Sequence, residues 1–308
     1  MRIGVDLGGT KIEIVVLDAQ GAMVHRERVF TPQGDYDGTL RAVAGLVSGA
    51  EQRLGIDHPL PIGVGIPGSI APRTGRIQNA NSVCLIGRDL AGDLAGLLGR
   101  PVRLANDADC FTLSEAADGA GAGSEIVFGV ILGTGVGGGI TVGRRLLAGP
   151  NAIAGEWGHN PLPWPRGEEE RPGPLCYCGQ TGCIETFLSG PALGRQFFER
   201  VGERLSPDRI VERAEGGDWE AERLLVGYED RLARALAMVI NLLDPHVVVL
   251  GGGLSRMRRL YRSVPEVWKH YVFSGSPATR LLPARFGDSS GVRGAAWLWP
   301  EGESGAAG

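Results

Sequence analysis

The chain has 308 residues, of which 43% are hydrophobic and 21% charged, with a formal net charge of -4. That length supports two domains of ordinary size, each with its own core. The mild acidity and the lack of a basic run argue against a nucleic-acid partner, and no apolar run is long enough to span a bilayer. The opening Met1-Arg2-Ile3-Gly4-Val5-Asp6 carries no signal-peptide pattern, so the expected compartment is the cytoplasm, where thiols stay reduced. Glycine is abundant, at 50 residues, about twice the usual share. Many of these glycines follow apolar strands, where backbone can approach a ligand closely.

Ile3 to Leu7 reads as an apolar strand carrying Asp6, and Ile12 to Leu17 as a second. Between them Gly8-Gly9-Thr10-Lys11 form a hairpin tip whose N–H groups and hydroxyl suit phosphate. An ordinary tight turn fits the same residues, and the spacing is not that of a P-loop. Asp6 would be costly to bury unless it served a metal ion or water. A third strand spans Met23 to Phe30, and an amphipathic helix from about Tyr36 to Leu54 aligns Leu40, Val43, Leu46 and Val47 on one face. Pro61 to Ile66 is a buried strand ended by the turn Pro67-Gly68-Ser69. The polar Asn79-Ala80-Asn81-Ser82 reads as a turn before it reads as a ligand loop.

Val102 to Leu104 is a strand that delivers Asn106-Asp107-Ala108-Asp109 beyond its carboxyl end, where ligands of α/β sheets gather. Asp107 is therefore a candidate general base, while Asn106 or Asp107 can equally be the N-cap of a helix from Ala108 to Gly119. Ile126 to Leu132 is a fully apolar strand, followed by Gly133-Thr134-Gly135-Val136-Gly137-Gly138-Gly139 and a further strand, Ile140 to Val142. This repeats the opening of the chain and points to two related halves facing each other across a cleft.

Next comes Gly155-Glu156-Trp157-Gly158-His159, a proline-rich excursion from Pro163 to Pro174, and Cys176-Tyr177-Cys178-Gly179-Gln180-Thr181-Gly182-Cys183-Ile184-Glu185. Three of the five cysteines fall within eight residues of each other. With His159 they make a Cys₃His set, which fills all four positions of a closed, structural zinc site. The competing reading, a disulfide with one spare thiol, meets a C-x-C pair badly spaced for a mutual bridge. Cys84 and Cys110 read as small core residues. A metal-pinned loop can hold Glu156 and Glu185 rigidly toward a substrate.

Helices follow at Pro191 to Val201, Pro207 to Ala214 and about Glu220 to Leu243, the last stopped by Asp244-Pro245. Val247 to Leu250 is a buried strand running into Gly251-Gly252-Gly253-Leu254-Ser255, against whose backbone a flat ring can lie. After a strand near Arg280 to Ala284, Asp288-Ser289-Ser290 is expected to cap a last helix, Val292 to Trp299, that returns to the first domain. The expected division is a domain over 1–110 completed by a helix at 290–300, a second domain over 111–289 holding the zinc motif, and a disordered tail over 301–308.

The loops Asp6-Leu7-Gly8-Gly9-Thr10, Leu132-Gly133-Thr134-Gly135 and Gly251-Gly252-Gly253 resemble those of the superfamily of sugar kinases, actin and heat-shock chaperones. The Gly-Glu-x-Gly-His and Cys-x-Cys-Gly-x-x-Gly-Cys-x-Glu motifs resemble those of the ROK family, and the likeness spans Met1 to Trp299. Finer matches at Asn79-Ala80-Asn81-Ser82, at Asn160-Pro161-Leu162-Pro163-Trp164 and from Gly287 to Trp297 look most like the bacterial fructokinase branch.

The resemblance implies an α/β, two-domain actin/hexokinase-like (ribonuclease H-like) fold with a central cleft and a structural zinc site. It implies a cytoplasmic homodimer that phosphorylates the 6-hydroxyl of a hexose, fructose first, with ATP, Mg²⁺ and structural Zn²⁺. Asp107 would be the base, and Gly68, Asn79, Asn106, Asp107, Glu156, His159 and Glu185 would hold the sugar, with His159 also on the metal beside Cys176, Cys178 and Cys183. Asp6, Gly8, Gly9, Thr10, Lys11, Gly133, Thr134, Gly135, Gly251, Gly252, Gly253 and Leu254 would hold MgATP. The alternatives are a glucokinase or N-acetylhexosamine kinase of the same family. A sugar-responsive repressor is a further one, although this chain begins at its first strand, where a helix-turn-helix would otherwise stand.

Overall fold

The computed structural model describes residues 1–80 and 82–300, so Asn81 and the tail expected over 301–308 lie outside the described residues. In chain order come β1 (Arg2–Leu7), β2 (Lys11–Leu17), β3 (Met23–Phe30), α1 (Tyr36–Arg53), β4 (Ile62–Ile66), β5 (Ser69–Ile70), β6 (Ile77–Gln78), α2 (Leu90–Leu98), β7 (Val102–Asn106) and α3 (Asp107–Ala117). Then follow β8 (Ile126–Leu132), β9 (Val136–Val142), β10 (Arg145–Leu146), α4 (Glu185–Leu188), α5 (Gly190–Val201), α6 (Pro207–Glu215), α7 (Trp219–Leu243), β11 (Val247–Gly251), α8 (Leu260–Trp268), β12 (Arg280–Pro283) and α9 (Ser290–Ala296).

Two mixed five-stranded sheets carry the fold, in the orders β3-β2-β1-β4-β7 and β10-β9-β8-β11-β12. In the first, β1, β2 and β3 pair antiparallel while β1, β4 and β7 run parallel. In the second, β9 and β10 are antiparallel while β8, β11 and β12 are parallel. The two sheets share one strand order, which is the repeat signalled by the two Gly/Thr turns. Contacts divide the chain into two compact units, one formed by Met1–Ala122, Gly139–Ala154 and the segment from Asp288 onward, the other by Gly123–Gly138 and Gly155–Gly287. Among the described residues, no helix is long and apolar enough to cross a membrane.

In the first unit the period of two along β2 sorts the core. Ile12, Ile14 and Val16 join Val43, Leu46 and Val47 of α1 and Leu90 and Leu94 of α2 in one cluster, while Val15 and Leu17 face Leu113 of α3 and Val292 and Ala296 of α9. The cap expected for the last helix is not made as the sequence suggested. Ser289 forms no side-chain capping bond, and Ser290 gives its hydroxyl to Glu115 Oε1 at 2.8 Å. That hydroxyl satisfies the buried Glu115 carboxylate of α3. Three helices, α2, α8 and the short α4, went unread in the sequence. α2 has a clear capping pattern, with Asp89 accepting from Gly92 N at 3.1 Å and Gly99 left-handed at its end.

In the second unit, α7 anchors the proline-rich excursion. Arg234 donates to the carbonyls of Pro163 and Trp164 at 2.9 and 2.8 Å and to both oxygens of Glu170 at 2.9 and 3.0 Å. Arg231 meets Glu170 at 2.7 Å and Gln196 of α5 at 2.6 Å. Burial alone would raise the Glu170 carboxyl, but Arg234, the Arg166 amide and Arg231 together hold it below the usual range. The side chains of Glu170, Arg231 and Arg234 are 4%, 5% and 1% exposed, so the excursion hangs from a desolvated ion cluster. Truncating one member would leave the others buried and uncompensated. Glu170→Ala is therefore expected to cost about 3–5 kcal/mol in urea unfolding, whereas an exposed pair such as Lys269–Glu266 should cost less than about 1 kcal/mol on the same test.

Candidate active site

In the first unit, the β1–β2 register closes at Leu7 and Ile12, leaving Gly8, Gly9, Thr10 and the start of β2 as the tip. Gly8 N donates to Lys11 O at 3.0 Å, and Thr31 fixes the tip by donating its amide to Thr10 O at 3.0 Å and its hydroxyl to Gly8 O at 2.7 Å. Asp6 stands in β1, just before that tip. Burial, then Asp107 and Glu13, push its carboxyl up to about 6, against the pull of Arg28. Burial also raises Asp107, while the Ala108 amide pulls it back. Two poorly solvated carboxylates within electrostatic reach of each other are a fitting place for a divalent cation.

The choice left open between Asn106 and Asp107 resolves in favour of Asn106 as the N-cap of α3. Its Oδ1 accepts from Ala108 N at 2.7 Å, and its Nδ2 donates to Gly68 O at 2.9 Å. Asp107 opens the helix and accepts from the same Ala108 amide on Oδ1 at 2.8 Å. Ser69 and Gln78 are partners across the β5–β6 pair, which sets Gly68 beside Asn79, itself left-handed with φ 53° as a turn requires. Gly68, Asn79, Asn106 and Asp107 thus gather at the carboxyl ends of β4 and β7.

In the second unit, the four metal-ligand candidates converge. One donor atom each from His159, Cys176, Cys178 and Cys183 lies within 4.8 Å of the others. The Cys178–Cys183 sulfurs are 3.6 Å apart, and Cys176 Sγ lies 3.6 Å from His159 Nδ1. Both separations match edges of a tetrahedron with zinc bond lengths of about 2.0–2.3 Å, and that between Cys178 and Cys183 is far too long for a disulfide bond of about 2.05 Å. Cys176 N donates to Gln180 O at 2.8 Å and Gly179 N to Cys176 O at 3.0 Å, which forms the turn that aims the sulfurs. Burial pushes the Cys183 thiol up to about 12, so its ionisation calls for a cation.

This loop docks on the start of β9. Glu185, the first residue of α4, accepts the Val136 amide on Oε2 at 2.8 Å. Trp157 donates its indole N–H to Gly137 O at 3.0 Å and packs edge-on against Phe128 at 5.5 Å. The sequence reading placed Gly137-Gly138-Gly139 in a loop, but all three lie in β9. A Cβ on Gly138 would come within 2.7 Å of the Trp157 ring, and one on Gly158 within 2.1 Å of Val136 O. Glycine is needed there for side-chain and backbone docking. Glu156 is exposed just before Trp157. Tyr177, which sequence reasoning passed over, places its hydroxyl 2.9 Å from His159 Nε2.

The second and third glycine turns share one cavity of about 490 Å³, walled by Gly133, Thr134, Gly253 and Leu254 together with Pro207 and Asp208 of α6. Gly251 ends β11 and Gly252 turns with φ 81°. Gly190 N donates to Gly133 O at 2.8 Å, tying the second turn to the start of α5. The starts of α5 and α6 were legible as helix signals. Their convergence on the glycine turns was not, because nothing local encodes it.

The sequence profile of the ROK family matches residues 2–302. An N-acetyl-D-glucosamine kinase of Photobacterium profundum is 38% identical over 301 residues, covering 97% of this chain and 99% of that protein. Among solved structures, a ROK hexokinase from Thermus thermophilus matches with a TM-score of 0.86 at 33% identity, covering 96% of this chain and 97% of that one. A ROK family glucokinase from Streptomyces griseus, in complex with glucose and AMPPNP, matches with a TM-score of 0.76 at 30% identity, covering 98% and 99%.

The raised Asp6 carboxyl opposes the fold once ionised. The stability it leaves intact below its unfolded value of 3.8 is lost as pH rises through about 6. In buffer free of divalent cations, Asp6→Asn should therefore melt higher than the parent chain at pH 7, and the gap should close toward pH 4. A gap independent of pH across that range would contradict the assigned environment.

Proposed function

Because the chain belongs to the ROK family, we propose that it is an ATP-dependent sugar kinase that phosphorylates the 6-hydroxyl of an N-acetylated hexosamine, N-acetylglucosamine first. The observation that carries the reading is the bond from Glu185 to the Val136 amide at 2.8 Å. It joins a carboxylate suited to sugar hydroxyls to the turn Gly133-Thr134-Gly135, which suits phosphates. The choice of acceptor rests on the near full-length likeness to a protein named N-acetyl-D-glucosamine kinase. Fructose is the second reading, favoured by the segments Asn79 to Ser82 and Gly287 to Trp297.

Asp107 accepts the proton of the attacking hydroxyl, for which burial has already raised its affinity. Asn106, Glu156, His159 and Glu185 hold the remaining hydroxyls, with Gly68 and Asn79 shaping the wall beside Asn106. Gly8, Gly9, Thr10 and Lys11 at one tip, and Gly133, Thr134 and Gly135 at the other, offer amides, hydroxyls and a cation to the phosphates. Gly251, Gly252, Gly253 and Leu254 receive the nucleoside. Asp6 would hold Mg²⁺, which supplies charge neutralisation on the phosphate oxygens. His159, Cys176, Cys178 and Cys183 would hold Zn²⁺, which supplies rigidity to the loop. The homodimer and the cytoplasmic location implied by the family resemblance belong to the same proposal.

Initial rates with N-acetylglucosamine, N-acetylgalactosamine, glucose, mannose and fructose at fixed MgATP test the acceptor. The expected order puts an N-acetylated sugar first in kcat/KM, and fructose in first place would select the second reading. Asp107→Asn should lower kcat by about 10²–10⁴-fold while ATP still binds, and near-normal turnover would remove the base.

A further inference from the structure

His159 has two ring nitrogens with different neighbours. Nδ1 lies 3.6 Å from Cys176 Sγ, inside the metal-ligand cluster, while Nε2 lies 2.9 Å from the hydroxyl of Tyr177. The two rings stand perpendicular, at 90° with centroids 5.1 Å apart. With Nδ1 turned to a metal, Nε2 carries the ring proton and donates it outward. It is the atom of His159 that a sugar hydroxyl would have to reach, and Tyr177 already occupies it.

The placement of Tyr177 makes that occupation reversible. Its backbone lies between Cys176 and Cys178, so the residue cannot drift from His159 while the loop is intact. The residue is 82% exposed, so its ring can rotate away without opening the core. We propose that Tyr177 is an internal competitor for the sugar: its hydroxyl accepts from His159 Nε2 until an acceptor hydroxyl takes that bond, after which the ring swings into solvent. This rests on the sugar-kinase reading given above. The competing bond weakens every accepted sugar by the same factor, because it is lost before any sugar is read.

Replacing the hydroxyl removes the competitor and keeps the ring. Tyr177→Phe should lower the KM for sugar about two- to tenfold, the reach of one neutral hydrogen bond, with kcat moving less and the KM for ATP not following. The Kd for sugar measured by calorimetry without ATP should fall by the same factor, and that factor should be equal for two different accepted sugars. Tyr177→Ala should do likewise, with zinc per chain unaltered in both variants. A sugar KM that is unchanged or raised in Tyr177→Phe overturns the proposal. So does a KM raised only in Tyr177→Ala, which would mean that the ring stacks on the sugar, and so does loss of zinc, which would make the residue a strut. If the unaltered protein turns over ATP with no sugar on the panel, the kinase reading fails and takes this proposal with it. An active enzyme with an indifferent Tyr177→Phe sinks only the latter.

Discussion

The residue on which the second unit depends is Val136. Its amide is taken by Glu185 Oε2 at 2.8 Å, and its carbonyl lies where Gly158 would carry a side chain, 2.1 Å from an ideal Cβ. One peptide segment is therefore met from both ends of the cysteine loop, by Gly158 next to His159 and by Glu185, the residue that follows Cys183-Ile184. The same segment leaves the turn Gly133-Thr134-Gly135, so any movement of the loop moves that turn. A carboxylate held this way is costly to displace, because the buried Val136 amide would lose the bond it makes here.

The cysteine loop needs its own support, and two devices supply it. The proposed metal would close the loop from within, through the His159, Cys176, Cys178 and Cys183 donors gathered there. From outside, Arg234 and Arg231 of α7 clamp the excursion through Glu170 and through the carbonyls of Pro163 and Trp164. Charged groups this deep are poor stabilisers in themselves, but they fix one arrangement because the alternatives leave charge unpaired. In the first unit the balance runs the other way. Asp6 and Asp107 are kept poorly solvated and within electrostatic reach of each other at a cost in stability, which suits the cation and proton roles proposed for them.

Much of the fold was legible because β1, β8 and β11 are mostly apolar and run into glycine. Ile126 to Leu132, Met23 to Phe30 and the long helix before Asp244-Pro245 stand within a residue or so of their expected limits. The Cys₃His cluster was legible too, since three cysteines and a histidine gathered in a short stretch have few other uses. What escaped was encoded in contacts rather than in patterns. Gly137 to Gly139 read as loop because a glycine run says nothing of Trp157 lying over it. Tyr177 is one aromatic between two cysteines, and only the position of His159 gives its hydroxyl a meaning. The acceptor sugar is hardest of all, because the segments that resemble fructokinases and the whole-chain likeness to an N-acetylglucosamine kinase point to different pockets on one scaffold.

The central proposal is that a bound metal, the cysteine loop and the turn Gly133-Thr134-Gly135 behave as one body joined at Val136. Amide hydrogen exchange at Val136, measured before and after zinc is stripped by a chelator, tests it most directly. The account expects slow exchange in the native protein and a rise of about tenfold or more once the loop is released. Exchange at Val136 that is fast from the start, or indifferent to removal of zinc, would contradict it.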